Sequence, residues 1–254
     1  MKEIHLGVNL YQCDKNSKEE INKIINIIIQ AINNFNIKIN KENLKYLHKY
    51  IKKENINELR INLFNELNKN NRLIEESLEK IAGEELVKIL GPDILIQKKI
   101  NLSIQMPNDE TSLLDMHSDC WSGDSPYQIN LWIPLTDAKK TNSMFIFDFN
   151  KSQNTIKKIY ENMEKNPYDA KNNIEINDFL NVKLGQYIIF NPGLLHGNVR
   201  NETSRTRMSI NIRFKSRFTP EPESEHVTRS SGIYYKEYKK SEWTKLAEKI
   251  KKIN

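Results

Sequence analysis

The run Arg207-Met208-Ser209-Ile210-Asn211-Ile212-Arg213-Phe214 alternates strictly between polar and apolar side chains. Such alternation predicts a β-strand, because successive side chains of a strand point to opposite faces of its sheet. Two arginines, a serine and an asparagine share one face of this strand, and four apolar residues share the other. We therefore expect a sheet that packs one face on an apolar core and turns a polar face elsewhere.

More strand patterns precede this run, with turn residues between them. They cover residues 94–105, 128–135, 143–149 and 182–190. Helical patterns do not alternate with these strands, so a Rossmann or TIM-barrel arrangement is disfavoured. Several short strands flanked by helices are typical of a β-sandwich or jelly roll. The sequence thus predicts a mainly β fold with flanking helices.

The first ninety residues carry a helical period instead. Apolar residues recur at intervals of three and four in residues 17–35, 41–53 and 56–90, as in amphipathic helices. Ser17 followed by Glu20 predicts a capping-box start for the first helix. We expect one domain, residues 1–254, in four parts. These parts are a helical cover (1–92), a jelly-roll core (93–218) with a helical insertion (151–181), and a C-terminal tail and helix (219–254).

Composition narrows the class of protein. The chain has 254 residues, of which 38% are hydrophobic and 28% charged, as in globular proteins. It contains no apolar run of about eighteen residues, the length a membrane helix needs. Its N-terminus lacks the apolar core of a signal peptide, so the cytoplasm is the expected location. The two cysteines, Cys13 and Cys120, are too far apart in sequence for a zinc ribbon and too few for a disulfide framework.

The formal net charge of +6 could indicate a polyanionic partner. The lysines, however, are scattered among Asn, Ile and Glu and form no basic stripe. We therefore expect no nucleic-acid partner and no membrane partner. This charge pattern fits a small-molecule substrate. One option is an anionic substrate, such as a nucleotide-linked metabolite. The sequence does not predict the oligomeric state.

The segment Met116-His117-Ser118-Asp119 carries a histidine and a carboxylate two residues apart. On a strand, both side chains would project from the same face. His196, which follows a predicted strand and a Pro-Gly turn, is the candidate for a third ligand. Two histidines and one carboxylate, with positions left open, form the ligand set of non-haem Fe(II) oxygenases. Ordinary structural roles for these histidines remain the alternative.

After ten intervening residues, His196 is followed by Arg207-Met208-Ser209. An arginine that points into a pocket is unfavourable unless it meets an anion. A guanidinium with a hydroxyl beside it is suited to binding a carboxylate. A surface ion pair is the alternative for Arg207, and Arg205 and Arg213 are competing candidates for the carboxylate site.

Taken together, these residues resemble the HxD…H…RxS pattern of the Fe(II)/2-oxoglutarate-dependent oxygenases, and most closely the phytanoyl-CoA dioxygenase-like branch. A weaker likeness points to oxygenases from bacterial carbohydrate-biosynthesis clusters. The resemblance covers residues 95–215. It is carried by Met116-His117-Ser118-Asp119, Asn130-Leu131-Trp132-Ile133-Pro134-Leu135-Thr136-Asp137, Asn142-Ser143, Gly185-Gln186-Tyr187-Ile188-Ile189-Phe190, His196-Gly197 and Arg207-Met208-Ser209.

The resemblance implies a double-stranded β-helix (jelly-roll) enzyme with Fe(II), 2-oxoglutarate and O2 as cofactor and co-substrates. His117, Asp119 and His196 would hold the iron, and Arg207 with Ser209 would bind the distal carboxylate of 2-oxoglutarate. The reaction would release succinate and CO2. A carboxylate at position 119 favours hydroxylation or desaturation, because halogenases of this type lack that ligand.

The sequence departs from the pattern at residues 147–150. It reads Phe147-Asp148-Phe149-Asn150 where many relatives carry Pro-Gly-Ser-His. That segment commonly borders the substrate pocket, so the substrate is left open. The resemblance suggests a sugar, a nucleotide-linked sugar or a similar small polar metabolite.

Other polar or aromatic side chains are candidates for the same site, each with a structural role as the alternative. Gln105 and Asn130 are candidates for binding 2-oxoglutarate. Trp121, Trp132, Asn211 and Arg213 are candidates for lining the substrate pocket or supporting the ligands. Two other functions use the same fold: a cupin-like metal-dependent isomerase or lyase, and a non-catalytic jelly-roll binding protein.

Overall fold

The alternating run forms β9 (Arg207–Ser216), the central strand of the main sheet. In this computed structural model, which describes residues 1–161 and 170–251, β9 pairs along one edge with β5 (Ile129–Pro134). Along its other edge it pairs with β3 (Ile94–Gln97) and β4 (Asn101–Gln105). All of these pairings are antiparallel. The strand that the sequence predicts most clearly thus organises the sheet.

The remaining strands extend the main sheet and form a second, smaller one. Beyond β5 the main sheet continues with β7 (Gln186–Phe190), β2 (Val8–Gln12) and β1 (Lys2–His5), and beyond β3 with β10 (Tyr235–Lys239). The second sheet consists of β6 (Phe145–Ile146) and β8 (His196–Gly197). Buried apolar residues of β5, β6 and β7 pack together in one cluster. This antiparallel architecture with flanking helices confirms the predicted fold class.

Three helices pack on the apolar face of the main sheet: α1 (Lys15–Asn34), α2 (Ile56–Lys69) and α3 (Asn71–Leu90). Their isoleucines and leucines share one buried cluster with Met208, Ile210, Ile212 and Phe214 of β9. Burial of such aliphatic side chains contributes about 1.5–3 kcal/mol each. The opposite face of β9 is buried as well, but against the site described below.

Helix α1 starts differently from the prediction. Asp14 is the capping residue, and its carboxylate accepts a hydrogen bond from the Ser17 backbone N–H at 2.7 Å. Glu20 does not turn back to the helix start; it accepts from Ser77 Oγ at 2.9 Å and from Lys80 Nζ at 3.0 Å on α3. The predicted capping box is therefore wrong, because tertiary partners take its acidic member.

The N-terminal region is less helical than predicted. Residues 1–12 contribute β1 and β2, and β2 pairs with β7 at the sheet edge. The helix predicted over 41–53 is reduced to two 3-10 turns, Leu44–Lys49 and Lys53–Asn55. Asn side chains compete with helical hydrogen bonds there: the Asn40 side chain accepts from the Asn43 N–H at 3.0 Å.

The insertion and the C-terminus follow the prediction in part. Helix α4 (Phe149–Glu161) starts two residues earlier than the predicted insertion, and residues 162–169 of that insertion lie outside the described residues. Asp148 accepts a hydrogen bond from the Lys151 N–H at 2.7 Å, which caps α4 and ends the predicted strand 143–149 early. The C-terminal tail adds β10 before the helix α5 (Glu242–Ile250). No helix in the described part of the chain is long and apolar enough to cross a membrane.

Candidate metal centre and co-substrate site

Backbone pairing brings His117 and His196 together. The His117 N–H donates to the His196 carbonyl and the His196 N–H donates to the His117 carbonyl, both at 2.9 Å. Residues directly opposite each other in an antiparallel pair project from the same face. The two imidazole rings accordingly lie with their centroids 4.4 Å apart.

Asp119 reaches the same point from a turn. It begins the 3-10 turn Asp119–Ser122, so the regular strand expected around 117–119 does not continue through it. Its N–H donates to the Pro192 carbonyl at 3.0 Å. Asp119 Oδ1 lies 3.6 Å from His117 Nε2, and Oδ2 lies 3.8 Å from His196 Nε2. One ligand atom from each of the three residues lies within 4.8 Å of the others.

Both imidazoles expose the nitrogen that a metal requires. His117 Nδ1 lies 2.7 Å from the Asp115 carbonyl, and His196 Nδ1 lies 2.9 Å from the Leu194 carbonyl. Since a carbonyl can only accept, Nδ1 carries the proton and Nε2 keeps its lone pair, as in metal-binding histidines. Burial lowers the pKa of His196 to about 4, which keeps it neutral near pH 7. The donor set therefore fits a divalent metal ion.

Asp119 is held at both oxygens. Asn130 Nδ2 donates to Oδ2 at 2.5 Å, and Arg213 Nη2 donates to Oδ1 at 2.6 Å. Asn130 and Arg213 are directly paired residues on β5 and β9, so their side chains leave the sheet from the same face. Burial alone would raise the pKa of Asp119, but its contact with His117 and the charge of Arg213 hold it well below its usual range. The carboxylate is therefore ionised.

A cavity of about 720 Å³ opens on these residues. It is lined by His117, Asp119 and His196, and by Arg207, Asn211, Arg213 and Trp132 from the main sheet. Ligand pockets commonly enclose about 300–1,000 Å³, so this one can hold a co-substrate and a small substrate together. The polar face of β9 thus forms one wall of the cavity.

Arg207 lines this cavity and is only 1% exposed. Its Nη1 donates to Ser103 Oγ and to Ser209 Oγ, both at 2.8 Å. Its Nη2 donates to Gln105 Oε1 at 3.0 Å, and its Nε donates to the Asn142 carbonyl at 3.0 Å. A guanidinium has five N–H donors, so one on Nη2 remains for a ligand.

No carboxylate in the described part of the chain pairs with Arg207, although burying an unpaired charge is costly. Burial lowers the pKa of Arg207 to about 10, which still leaves the side chain protonated near pH 7. Arg205, the neighbouring candidate, is half-buried outside the lining of this cavity, and Arg213 already contacts Asp119. The arrangement of Arg207 therefore fits an anionic ligand.

The other candidate residues differ in whether they line the cavity. Trp132 and Asn211 line the cavity, and Asn211 Oδ1 is buried without a hydrogen-bond partner. Gln105 is fully buried behind Arg207 and also donates to the Val199 carbonyl, so it supports the arginine and does not line the cavity. Asn130 likewise contacts Asp119 instead of the cavity. Trp121 is 43% exposed and is absent from the lining.

Sequence reasoning did not assign roles to several residues around the site. Ser103 was identifiable, because it shares the polar face of its predicted strand with Gln105. Tyr235 carries no such signal, because it lies on β10, a strand that the sequence did not predict. Asp124 would be expected at the substrate mouth from its place in the loop after Asp119, but it contacts Arg213 and does not line the cavity.

The family model for phytanoyl-CoA dioxygenase (PhyH) matches residues 29–209. The chain belongs to the PhyH family. With the His-Asp-His cluster in its cavity, it is a non-haem iron oxygenase of the dioxygenase type whose cofactor and co-substrates are Fe(II), 2-oxoglutarate and O2. These expectations from the sequence are confirmed. No curated protein matches the sequence significantly.

Several solved structures are similar to this PhyH-family chain. The apo form of the non-heme monooxygenase ThoJ has 12% sequence identity and a TM-score of 0.49, with 93% of this chain and 81% of ThoJ covered. HygX from Streptomyces hygroscopicus, with nickel and 2-oxoglutarate bound, has 11% identity and a TM-score of 0.48, with 91% and 93% covered. CytC3 with Fe(II) and alpha-ketoglutarate has 13% identity and a TM-score of 0.46, with 84% and 74% covered. Scores at this level assign no activity to this chain.

Proposed function

We propose that this protein oxidises a sugar, a nucleotide-linked sugar or a similar small polar metabolite, with Fe(II) at the His-Asp-His cluster and 2-oxoglutarate bound through Arg207. The observation that carries the proposal is the buried Arg207, which lines the same cavity as the cluster and has no carboxylate partner among the described residues. A buried cation of this kind is favourable only with an anion beside it.

His117, Asp119 and His196 would hold the metal ion. When bound, Fe(II) together with 2-oxoglutarate and O2 supplies the oxidation of a C–H bond, with release of succinate and CO2. The chain's own contribution is orientation: the carbonyls of Asp115 and Leu194 fix both imidazoles, and the two donors on Asp119 fix its carboxylate. These fixed side chains would hold the ion at the wall of the same cavity that Arg207 lines.

Three donors are available for the distal carboxylate of 2-oxoglutarate. One is the free N–H on Arg207 Nη2. The other two are the hydroxyls of Ser103, which lines the cavity, and of Ser209, which is fully buried beside Arg207 and does not line it. Both accept from Arg207 and so keep their own protons for a ligand. Hydrogen bonds to charged groups contribute about 1.5–3 kcal/mol each. Gln105 and Asn142 would act on the co-substrate only by holding the guanidinium in place.

The rest of the cavity lining supports a hydroxyl-rich substrate. It presents amide and hydroxyl groups of Asn101, Ser112, Asn198, Asn211, Thr228 and Tyr234. Such groups can donate to and accept from sugar hydroxyls. Arg229 also lines the cavity; it lies 3.8 Å from Asp124 Oδ2, donates to the Ser122 carbonyl at 3.3 Å and lies over the Tyr234 ring. A guanidinium in this lining favours a substrate with an anionic group, such as the diphosphate of a nucleotide-linked sugar.

Two experiments test the proposal. Anaerobic addition of Fe(II) and 2-oxoglutarate should produce a visible charge-transfer absorption, because the keto acid would chelate the metal; absence of this band would contradict the iron site. Succinate release should then be measured with neutral sugars, sugar phosphates and nucleotide-linked sugars. We expect a substrate-dependent increase with one of these classes. Turnover of a sugar without succinate would instead indicate a cupin-like isomerase or lyase.

A further inference from the structure

Arg213 lies between two buried carboxylates. Its Nη2 donates to Asp119 Oδ1 at 2.6 Å, and its Nε lies 2.8 Å from Asp124 Oδ2. Arg213 is 8% exposed and Asp124 is 4% exposed. The contact with Asp124 is an ion pair without hydrogen-bond geometry, whereas the contact with Asp119 is a hydrogen bond. One guanidinium charge is therefore shared between a metal ligand and a second acid.

Asp124 is itself held in place from the C-terminal part of the chain. The hydroxyl of Tyr235, on β10, lies 3.3 Å from Asp124 Oδ1 and donates to Gln128 Oε1 at 2.8 Å. Tyr235 is 1% exposed. Arg213 Nη1 also reaches Tyr234 Oη at 3.2 Å. Arg213 and both tyrosines lie beyond residues 29–209, the part that matches the PhyH family model.

The shared charge has a consequence for the metal site. A divalent cation and Arg213 both draw on the negative charge of Asp119, so a stronger Arg213–Asp119 pair weakens metal binding. Asp124 balances part of the guanidinium charge, and coupling between charges at such distances is strong when they are buried. If Asp124 were neutral, Asp119 alone would have to compensate Arg213.

We propose that Asp124 is a positioning residue for the metal ligand Asp119, acting through Arg213. Arg213 orients the carboxylate by its hydrogen bond to Oδ1, and Asp124 keeps the guanidinium from neutralising that carboxylate. This inference rests on the proposed function, because it takes Asp119 to be a ligand of a divalent metal. A merely structural ion pair between Arg213 and Asp124 would contribute to folding stability and leave metal affinity unchanged in folded protein.

The test uses metal affinity, which needs neither O2 nor the organic substrate. Mn(II) is a redox-stable probe, and its affinity for the full chain can be measured by titration calorimetry. Asp124→Asn should lower this affinity about ten- to a hundredfold, the range typical of residues that support metal ligands. Adding Arg213→Gln to Asp124→Asn should recover part of the loss, because the uncompensated cation is gone although its hydrogen bond to Asp119 is lost with it.

Arg217→Gln is the matched control. Arg217 also pairs with acids, Glu237 at 2.9 Å and Glu248 at 3.7 Å, but it lies outside the cavity lining. Its replacement should leave Mn(II) affinity at the wild-type value. Far-UV circular dichroism and a thermal unfolding curve on each variant establish that the folded protein is being titrated.

The outcomes distinguish failure of the metal site from failure of the Asp124 role. Wild-type protein that binds no Mn(II) contradicts the proposed function and, with it, this inference. Wild-type protein that binds Mn(II) while Asp124→Asn binds it equally well overturns the role of Asp124 alone. That role is also overturned if the double variant binds as weakly as Asp124→Asn, since removal of the cation should then have restored affinity.

Discussion

Replacing Arg207 with glutamine should weaken 2-oxoglutarate binding while leaving metal binding nearly unchanged. The substitution removes the one buried guanidinium that faces the cavity without a carboxylate partner in the described structure. The metal ligands do not contact this side chain: its partners are Ser103, Ser209, Gln105 and the Asn142 carbonyl. The substitution should therefore lower the affinity for 2-oxoglutarate much more than the affinity for the metal ion.

The expected loss of 2-oxoglutarate affinity follows from the contacts that the substitution removes and from those that it leaves in place. Truncating one partner of a buried, hydrogen-bonded charge pair costs about 2–5 kcal/mol. The Ser103 and Ser209 hydroxyls would still donate to the carboxylate, so the lower part of this range, about 2–3 kcal/mol, is expected. At about 1.4 kcal/mol per factor of ten, the Kd of 2-oxoglutarate should rise about 30- to 150-fold.

The assay is an anaerobic titration of Fe(II)-loaded protein with 2-oxoglutarate, followed by the charge-transfer absorption. Ser209→Ala should raise Kd about tenfold, because it removes a single hydrogen bond to a charged group, worth about 1.5 kcal/mol. Arg205→Gln is the matched control: the same change, two residues earlier, at a half-buried side chain that does not line the cavity. The Arg205→Gln variant should bind 2-oxoglutarate with the wild-type Kd.

An unchanged Kd in folded Arg207→Gln protein would refute the carboxylate site. A rise in Kd for Arg205→Gln as large as that for Arg207→Gln would reassign the carboxylate to Arg205. Parallel loss of Mn(II) affinity in Arg207→Gln would indicate that the substitution disturbs the whole cavity, and the predicted separation of metal and co-substrate would then be wrong.

Three further substitutions probe the metal site and the fold. His196→Ala should abolish Mn(II) binding and 2-oxoglutarate turnover with an unchanged far-UV dichroism spectrum; retained stoichiometric binding would exclude His196 as a ligand. Burial would raise the pKa of Glu20, but its hydrogen bonds with Lys23, Lys80 and Ser77 lower it from 4.5 to about 2. Glu20→Gln should accordingly cost about 1–2 kcal/mol in urea unfolding at pH 7. This difference should be lost as the pH falls from 4.5 towards 2, and a pH-independent cost would contradict it. Ile24→Ala, at a fully buried position of α1, should cost about 2–5 kcal/mol without changing Mn(II) affinity, and a cost under about 1 kcal/mol would contradict its core position.

Local sequence patterns predicted the elements whose conformation depends on side-chain alternation and spacing within a short segment. Strand β9 follows from its alternation alone, since one face must pack on α1, α2 and α3 and the other must turn to the cavity. The cluster of His117, Asp119 and His196 also came from sequence spacing, although Asp119 lies in a turn and not on a strand. Their roles as ligands remain a prediction, as do those of Arg207 and Ser209.

Other features depend on partners that sequence spacing does not identify. β1, β2 and β10 are short segments whose strand conformation comes from pairing with β7 and β3 at the sheet edges. Asn130 was expected to bind 2-oxoglutarate, and Arg213 either to line the substrate pocket or to support the ligands. Their register across β5 and β9 directs both side chains to Asp119. Only the three-dimensional pairing shows which of several inward polar side chains meet each other.

The reciprocal backbone pairing of His117 and His196 has a consequence for how the protein acquires its metal. The two residues are distant in the chain, and the pairing exists only when β8 and the segment before Asp119 have docked. The unfolded polypeptide therefore offers no preformed chelator, and metal uptake should follow folding. A ligand that binds only the folded state stabilises it by about 2.7 kcal/mol at a hundred times its Kd. The melting temperature should accordingly rise with free metal concentration, which makes the metal a reporter of correctly folded chains in a mixed preparation.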